Sequence, residues 1–250
     1  MPRLPSRRPR RAGTSANSGG GGEIAARRDL REHLLASAET ILRERGLAFV
    51  SLRAVARLAD VSHGAPAYHF GSKAGLLTAF AAQGYRRMVV DVRAVLATAG
   101  EDARDRLQAI GCAYVRFAIA HPEAFAIMFR AELHERANPE LVEASAGAIG
   151  LLGGTIALCV QQGYLPPERA ETAGAAAWSL SHGLAELWLQ GRLRARTTEP
   201  DLDKLSRDVH ALFVRSIMPD LDPRPARTQP VRSGSRGAKG PTRATKGRSK

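Results

Sequence analysis

The sequence predicts an all-α protein of about nine helices, with a three-helix head near the N-terminus and a larger helical body behind it. Three observations carry that expectation. Apolar residues recur at helical spacing across residues 23–218, no segment alternates with a period of two, and capping signals precede most of the periodic runs. With 250 residues, the chain is long enough to bury a core without a metal or disulfide staple.

A first helix is expected over Arg27 to Arg45, where Leu30, Leu34, Leu35, Ala38, Ile41 and Leu42 share one stripe and Gly46 supplies the stop. Ser51 can then accept a bond from an orphan backbone N–H and start a short helix with Leu52, Val55, Ala56 and Ala59 on its inner face. Asp60 ends it, in a turn where Asp tolerates a left-handed conformation better than most residues. Val61 fills the angle, and Ser62 is positioned to cap a second short helix reaching Phe70, in which the ring of Pro66 stiffens the first turn. Ser72-Lys73 opens a long helix to about Ala97, with Leu76, Leu77, Phe80, Met88, Val92 and Leu96 facing inward.

Beyond the break at Gly100, Asp102 caps a helix through Ala120, and His121-Pro122 begins a short one. Asn138-Pro139-Glu140 signals a helix to about Gly163, Pro166-Pro167-Glu168 one to about Leu193, and Asp201 or Asp203 the last, ending at Met218-Pro219. Between Glu143 and Glu168 no charge occurs. The fully apolar part is too short for a bilayer, so a buried central helix is expected, with Gly147, Gly150, Gly153 and Gly154 admitting close neighbours.

Charge divides the chain further. Of the net +13, residues 1–22 contribute +5 and residues 219–250 contribute +7, leaving +1 for residues 23–218. Both termini are rich in Pro, Gly, Ser and Arg and lack apolar periodicity, so they read as disordered basic arms. The expected division is therefore an arm over 1–22, a head over 23–80, a body over 81–218 and a tail over 219–250. Such arms either strengthen salt-dependent contact with nucleic acid or only aid solubility. Cys112 and Cys159 lack metal or redox spacing and read as packing residues. No apolar stretch follows the basic N-terminus, which argues against a signal peptide and for the cytoplasm.

Two capped short helices meeting at a tight turn, Ser51 to Phe70, have the layout of a DNA-reading helix-turn-helix. Its base-facing candidates are His63, Gly64, Ala65, Ala67 and Tyr68, with Ser51 and Ser62 at the helix starts. The run from Arg27 to about Phe80 resembles the N-terminal domain of the tetracycline-repressor (TetR) family. Farther on, Trp178-Ser-Leu-Ser-His182-Gly183-Leu-Ala-Glu-Leu-Trp188-Leu-Gln-Gly191 resembles the Trp-His-Gly type of C-terminal domain in one branch of that family.

That resemblance implies phosphate contacts by Arg53 and Lys73 and a backbone contact by His69. Ala67 stands where the family commonly carries Tyr, so that contact does not transfer, and Tyr68 is the replacement candidate. The resemblance also implies an effector pocket, for which Phe117, Phe125, Met128, Phe129, Tyr164, Trp178 and His182 are the candidates, suited to a mostly apolar small molecule. A homodimer is expected from two-fold operator geometry, through Gly183, Leu184, Leu187, Trp188, Leu205, Leu212, Phe213 and Ile217. The implied partners are double-stranded DNA with a near-palindromic operator, a small-molecule effector and a second copy of the chain, with no membrane and no cofactor. Ligand binding would tilt the fourth helix and respace the reading heads, giving a ligand-responsive repressor. The alternative is an architectural DNA-binding protein driven by its basic tails. An enzyme is not supported: no metal-ligand spacing, catalytic triad or phosphate loop is present.

Overall fold

The computed structural model describes residues 19–218, apart from Arg136 and the side chains before Glu23. The C-terminal tail and most of the N-terminal arm lie outside the described residues. Among those described, nine α-helices follow one another with three short 3-10 turns and no strand. They are α1 (Gly19–Arg45), α2 (Leu52–Leu58), α3 (Gly64–Phe70), α4 (Lys73–Leu96), α5 (Ala103–Ala120), α6 (Pro122–Met128), α7 (Pro139–Gln161), α8 (Ala170–Leu189) and α9 (Leu202–Ile217).

Local chemistry sets most boundaries. The hydroxyl of Ser51 accepts from the Ala54 N–H at 3.2 Å, and that of Ser72 from the Gly75 N–H at 2.9 Å. Asp102, Asn138 and Asp201 cap α5, α7 and α9 through their carboxylate or amide oxygens. Asp60 takes φ 52°, the left-handed turn expected of it. Ser62 departs from expectation: His63, already in helical conformation, precedes α3, and no side chain caps that helix. The Ser62 carbonyl instead accepts the Ala65 N–H at 3.0 Å, closing the turn through the backbone. Helix α1 begins at Gly19, eight residues before the expected start at Arg27.

α4 is the axis of the molecule, packing on α7, α5 and α6, while α5 carries α8 and α9 on its other side. One core runs from Leu34 and Val55 in the head through Phe80 of α4 to Phe117 and Phe125. A smaller second core gathers Leu107, Ile156, Cys159, Leu165, Val214 and Met218 at the far end of the body. Cys112 and Cys159 are buried free thiols, and burial pushes the Cys159 thiol up to about 11.

Helix α7 overturns the expectation of a buried central helix. It is long and apolar enough to cross a membrane, yet only 17% of its most apolar 18 residues are buried, and Ile149 is 66% exposed. Its inner edge (Ala144, Thr155, Ile156, Cys159) packs inward, while a Cβ added at Gly150, Gly153 or Gly154 would meet open space. The glycines and alanines make the composition apolar without supplying side chains to bury, so the helix lies on the surface along one edge.

Candidate functional site

The head presents α3 to solvent. Pro66 and Phe70 anchor it in the core, Ala65 and His69 are half-buried, and Ser62, His63, Gly64, Ala67 and Tyr68 are exposed. Tyr68 is 70% exposed, more than the other large apolar side chains exposed in the head, Ile24, Phe49 and Leu58. Ser51 and Arg53 are exposed at the start of α2. Lys73 is exposed at the start of α4, where its ammonium donates to the Leu47 carbonyl at 3.1 Å and ties α4 to the turn after α1.

The sequence reading missed the cations that α1 adds to this surface. The Arg27 guanidinium lies 6.0 Å from the Tyr68 ring centre, and that of Arg31 lies 5.6 Å from the Phe70 ring. Desolvation, with Arg31 and Arg27 nearby, pushes the His69 imidazole below its usual range. Two guanidinium groups thus flank the C-terminal end of α3, Arg27 paired with Glu23 at 2.7 Å and Arg31 paired with Glu140, so a phosphate there would compete with those carboxylates.

Arg31 also links the head to the body. Its Nη2 donates to both carboxylate oxygens of Glu140 in the first turn of α7, at 2.7 and 2.9 Å, and Arg86 of α4 donates to the same carboxylate at 2.8 Å. A second ion pair joins Arg87 of α4 to Glu39 of α1 at 3.2 Å. At the head of α4, Ser72 donates to Glu135 at 3.2 Å, and the Glu135 N–H donates to Thr78 at 2.9 Å.

The body contains a cavity of about 630 Å³ between α4, α5, α7, α8 and α9. It lies where the two cores fail to meet, drawing Met88, Val92 and Ile110 from one and Leu107, Ile156 and Val214 from the other. Its exposed lining residues, Ile149, Gly153, Ala157, Glu171, Ala175 and Trp178, mark a mouth between α7 and α8.

Of the aromatic and polar candidates, Phe129 and Trp178 line this cavity. Phe125 and His182 sit behind its wall, in a ring cluster where Phe129 and His182 are 4.7 Å apart and His182 Nδ1 meets the Tyr114 hydroxyl at 2.9 Å. Phe117 is buried against His121, and Met128 packs against Gly84, where an added Cβ would lie 2.6 Å from its sulfur. Tyr164 is not brought to the others: its hydroxyl donates to Asp102 at the base of α5, under Arg104.

The sequence reading missed Tyr85, Tyr114, Ser181 and His210 in the lining. His210 Nδ1 is 2.7 Å from the Ser206 carbonyl, its Nε2 is 3.0 Å from the Ser181 hydroxyl, and Gly111 leaves room for its ring. Burial lowers its pKa. Among the dimer candidates, Leu184 and Trp188 are buried within the chain, Gly183, Leu205, Phe213 and Ile217 are half-buried, and Leu187 and Leu212 stand exposed. Phe213 lines the cavity as well.

Two family profiles match this architecture. The one described as "Bacterial regulatory proteins, tetR family" spans residues 34–80, and "Tetracyclin repressor-like, C-terminal domain" spans 107–212. The chain belongs to the TetR family. It is a DNA-binding transcriptional regulator and not an enzyme.

The chain is 38% identical over 80 residues to the HTH-type transcriptional regulator BetI of Stenotrophomonas maltophilia (strain R551-3). That match covers 32% of this chain and 41% of BetI, less than half its length. A protein of unknown function from Rhodococcus sp. RHA1 superposes with TM-score 0.67 at 33% identity, covering 76% of this chain and 95% of that one. The regulator FadR of Bacillus subtilis, in complex with stearoyl-CoA, shares the fold at TM-score 0.60 and 16% identity, covering 74% and 98%.

Proposed function

We propose that this TetR-family regulator is a cytoplasmic homodimeric repressor that reads a near-palindromic operator and releases it when a mostly apolar small molecule fills the body cavity. The carrying observation is that one helix serves both sites. α4 starts beside the reading helix at Ser72 and lines the cavity farther along with Tyr85, Met88 and Val92. A ligand that prefers one position of α4 must change the attitude of α3, and by linkage DNA must change ligand affinity by the same factor.

The contact set is Arg53 and Lys73 for phosphates and His63, Gly64, Ala65 and Tyr68 for bases, with Ser51, Ser62, Ala67 and His69 flanking them. The exposed Leu187 and Leu212 support an α8–α9 dimer face, in which Gly183 permits close approach. Trp178, His182 and Gly183 within two turns of α8 support assigning the body to the Trp-His-Gly type. FadR of Bacillus subtilis, which shares the fold, was solved in complex with stearoyl-CoA, and this supports an effector with an apolar chain.

The test is selection of bound duplexes from a random pool by the full chain, with competitor DNA present. Enrichment of a two-fold-symmetric motif is expected, and loss of that complex on adding hydrophobic compounds would identify effectors. Tight binding without any motif would favour the tail-driven architectural reading instead.

A further inference from the structure

We propose that the cavity selects a cationic amphiphile, an apolar chain or ring system bearing an amine or quaternary ammonium group, with the charge held at the mouth between Glu171 and Trp178. This rests on reading the cavity as an effector site.

The argument is one of which polar groups remain available. The Tyr85 hydroxyl donates to the Met128 carbonyl at 3.3 Å, and the Tyr114 hydroxyl is paired with His182. The His210 Nδ1–H donates to the Ser206 carbonyl, and the one Ser181 hydroxyl hydrogen serves either His210 Nε2 or the Ala177 carbonyl. Apart from the Trp178 indole N–H, which bears on the Tyr114 hydroxyl, no neutral side chain in the lining has an unused donor for a carboxylate or phosphate, and no Lys or Arg belongs to the lining. An anionic headgroup would be desolvated there without compensation.

Glu171 is the one charged residue of the lining, and no hydrogen bond or ion pair engages its carboxylate among the described residues. It stands in the first turn of α8, and Trp178, two turns later on the same face, leaves 49% of its surface exposed. A carboxylate and an indole face at one mouth form a pairing that attracts a cation through charge and through the ring quadrupole together. The apolar remainder of such a ligand would run inward along Ile149, Leu152, Ile156 and Phe213.

The test is calorimetric titration of the full chain with three decyl probes below their micellar concentrations: decyltrimethylammonium, decanol and decanoate. Decyltrimethylammonium is expected to bind about tenfold tighter than decanoate, with decanol between them. Glu171→Gln should weaken the ammonium probe about fivefold and leave decanol unchanged, with the melting temperature as a folding control. Equal or tighter binding of decanoate, or no effect of Glu171→Gln on the ammonium probe, overturns the cationic preference while leaving the cavity as a ligand site. Gly174→Leu, which fills the cavity from its α8 wall, should abolish binding of all three. Failure of every probe to bind, or binding that survives Gly174→Leu, overturns the effector reading itself.

Discussion

Helices α4 and α7 lie side by side and are nearly equal in length, at 24 and 23 residues, yet the molecule uses them in opposite ways. α4 carries five charged residues and still buries twelve positions, from Gly75 to Leu96. α7 carries no charge after Glu143 and buries four. The more apolar helix is the more exposed one. Apolar composition limits what a helix can bury, whereas what it does bury depends on how far its neighbours enclose it, and α4 is enclosed by α1, α3, α5, α6 and α7. α7 meets α4, α5 and α8 along its inner edge and leaves the rest to solvent and the cavity mouth.

The sharpest way to break this contrast is a matched pair of substitutions. Phe80→Ala, at a position 1% exposed, should lower unfolding free energy by about 3–5 kcal/mol in urea titration. Ile149→Ser on α7 should move it by no more than about 0.5 kcal/mol while weakening binding of apolar probes. A loss above about 2 kcal/mol for Ile149→Ser would make α7 an ordinary packing element and dissolve the distinction.

Glycines give a second, smaller contrast. Gly111→Ala places a methyl group against the His210 ring and should cost about 1–3 kcal/mol. Gly153→Ala points into open space on a helix and should stabilise by about 0.5–1 kcal/mol, as thermal melting would show.

The link between the two helices is the next target. Glu140→Gln removes the carboxylate shared by Arg31 and Arg86, both partly exposed, and should cost no more than about 1 kcal/mol of global stability. Hydrogen exchange in α3 should nevertheless quicken, because Arg31 loses the partner that fixes it near Phe70. Unchanged exchange over residues 64–70 would deny α7 any hold on the reading helix.

The smallest effect is a pH dependence. Burial holds His210 neutral with a pKa below the ordinary 6.5, so the unfolded chain takes up its proton first. Stability should be fully present above about pH 6.5 and decline as pH falls below it. His69 and His134 shift the same way for the same cause. A melting curve measured from pH 7.5 to 5.5 should slope less in His210→Gln than in the parent.

The head was legible in the sequence because its signals are local. Ser51, Asp60 and Ser72 act within four residues of themselves, and Asp102, Asn138 and Asp201 mark later helix starts by the same logic. Ser62 was the exception, because a serine beside a helix start competes with a backbone turn that needs no side chain. The body was less legible. Glu140 finds Arg31 across 109 residues, and Gly111 meets His210 from another helix, pairings that no periodicity encodes. The cavity is harder still to read, since it is defined by where two cores stop. The aromatic residues of α5, α6 and α8 marked its neighbourhood but not which of them would face it.

The contact between Gly111 and the His210 ring also constrains the order in which this sequence can drift. Position 111 cannot gain a side chain until position 210 loses its ring, so descendants must pass through a form with a smaller residue there first. That intermediate would leave the Ser181 hydroxyl only the Ala177 carbonyl and enlarge the space that His210 now closes. A step taken for packing would thus widen the range of molecules the protein answers to. Heritable changes in fold and in chemical taste are tied together at this one crossing of α5 and α9.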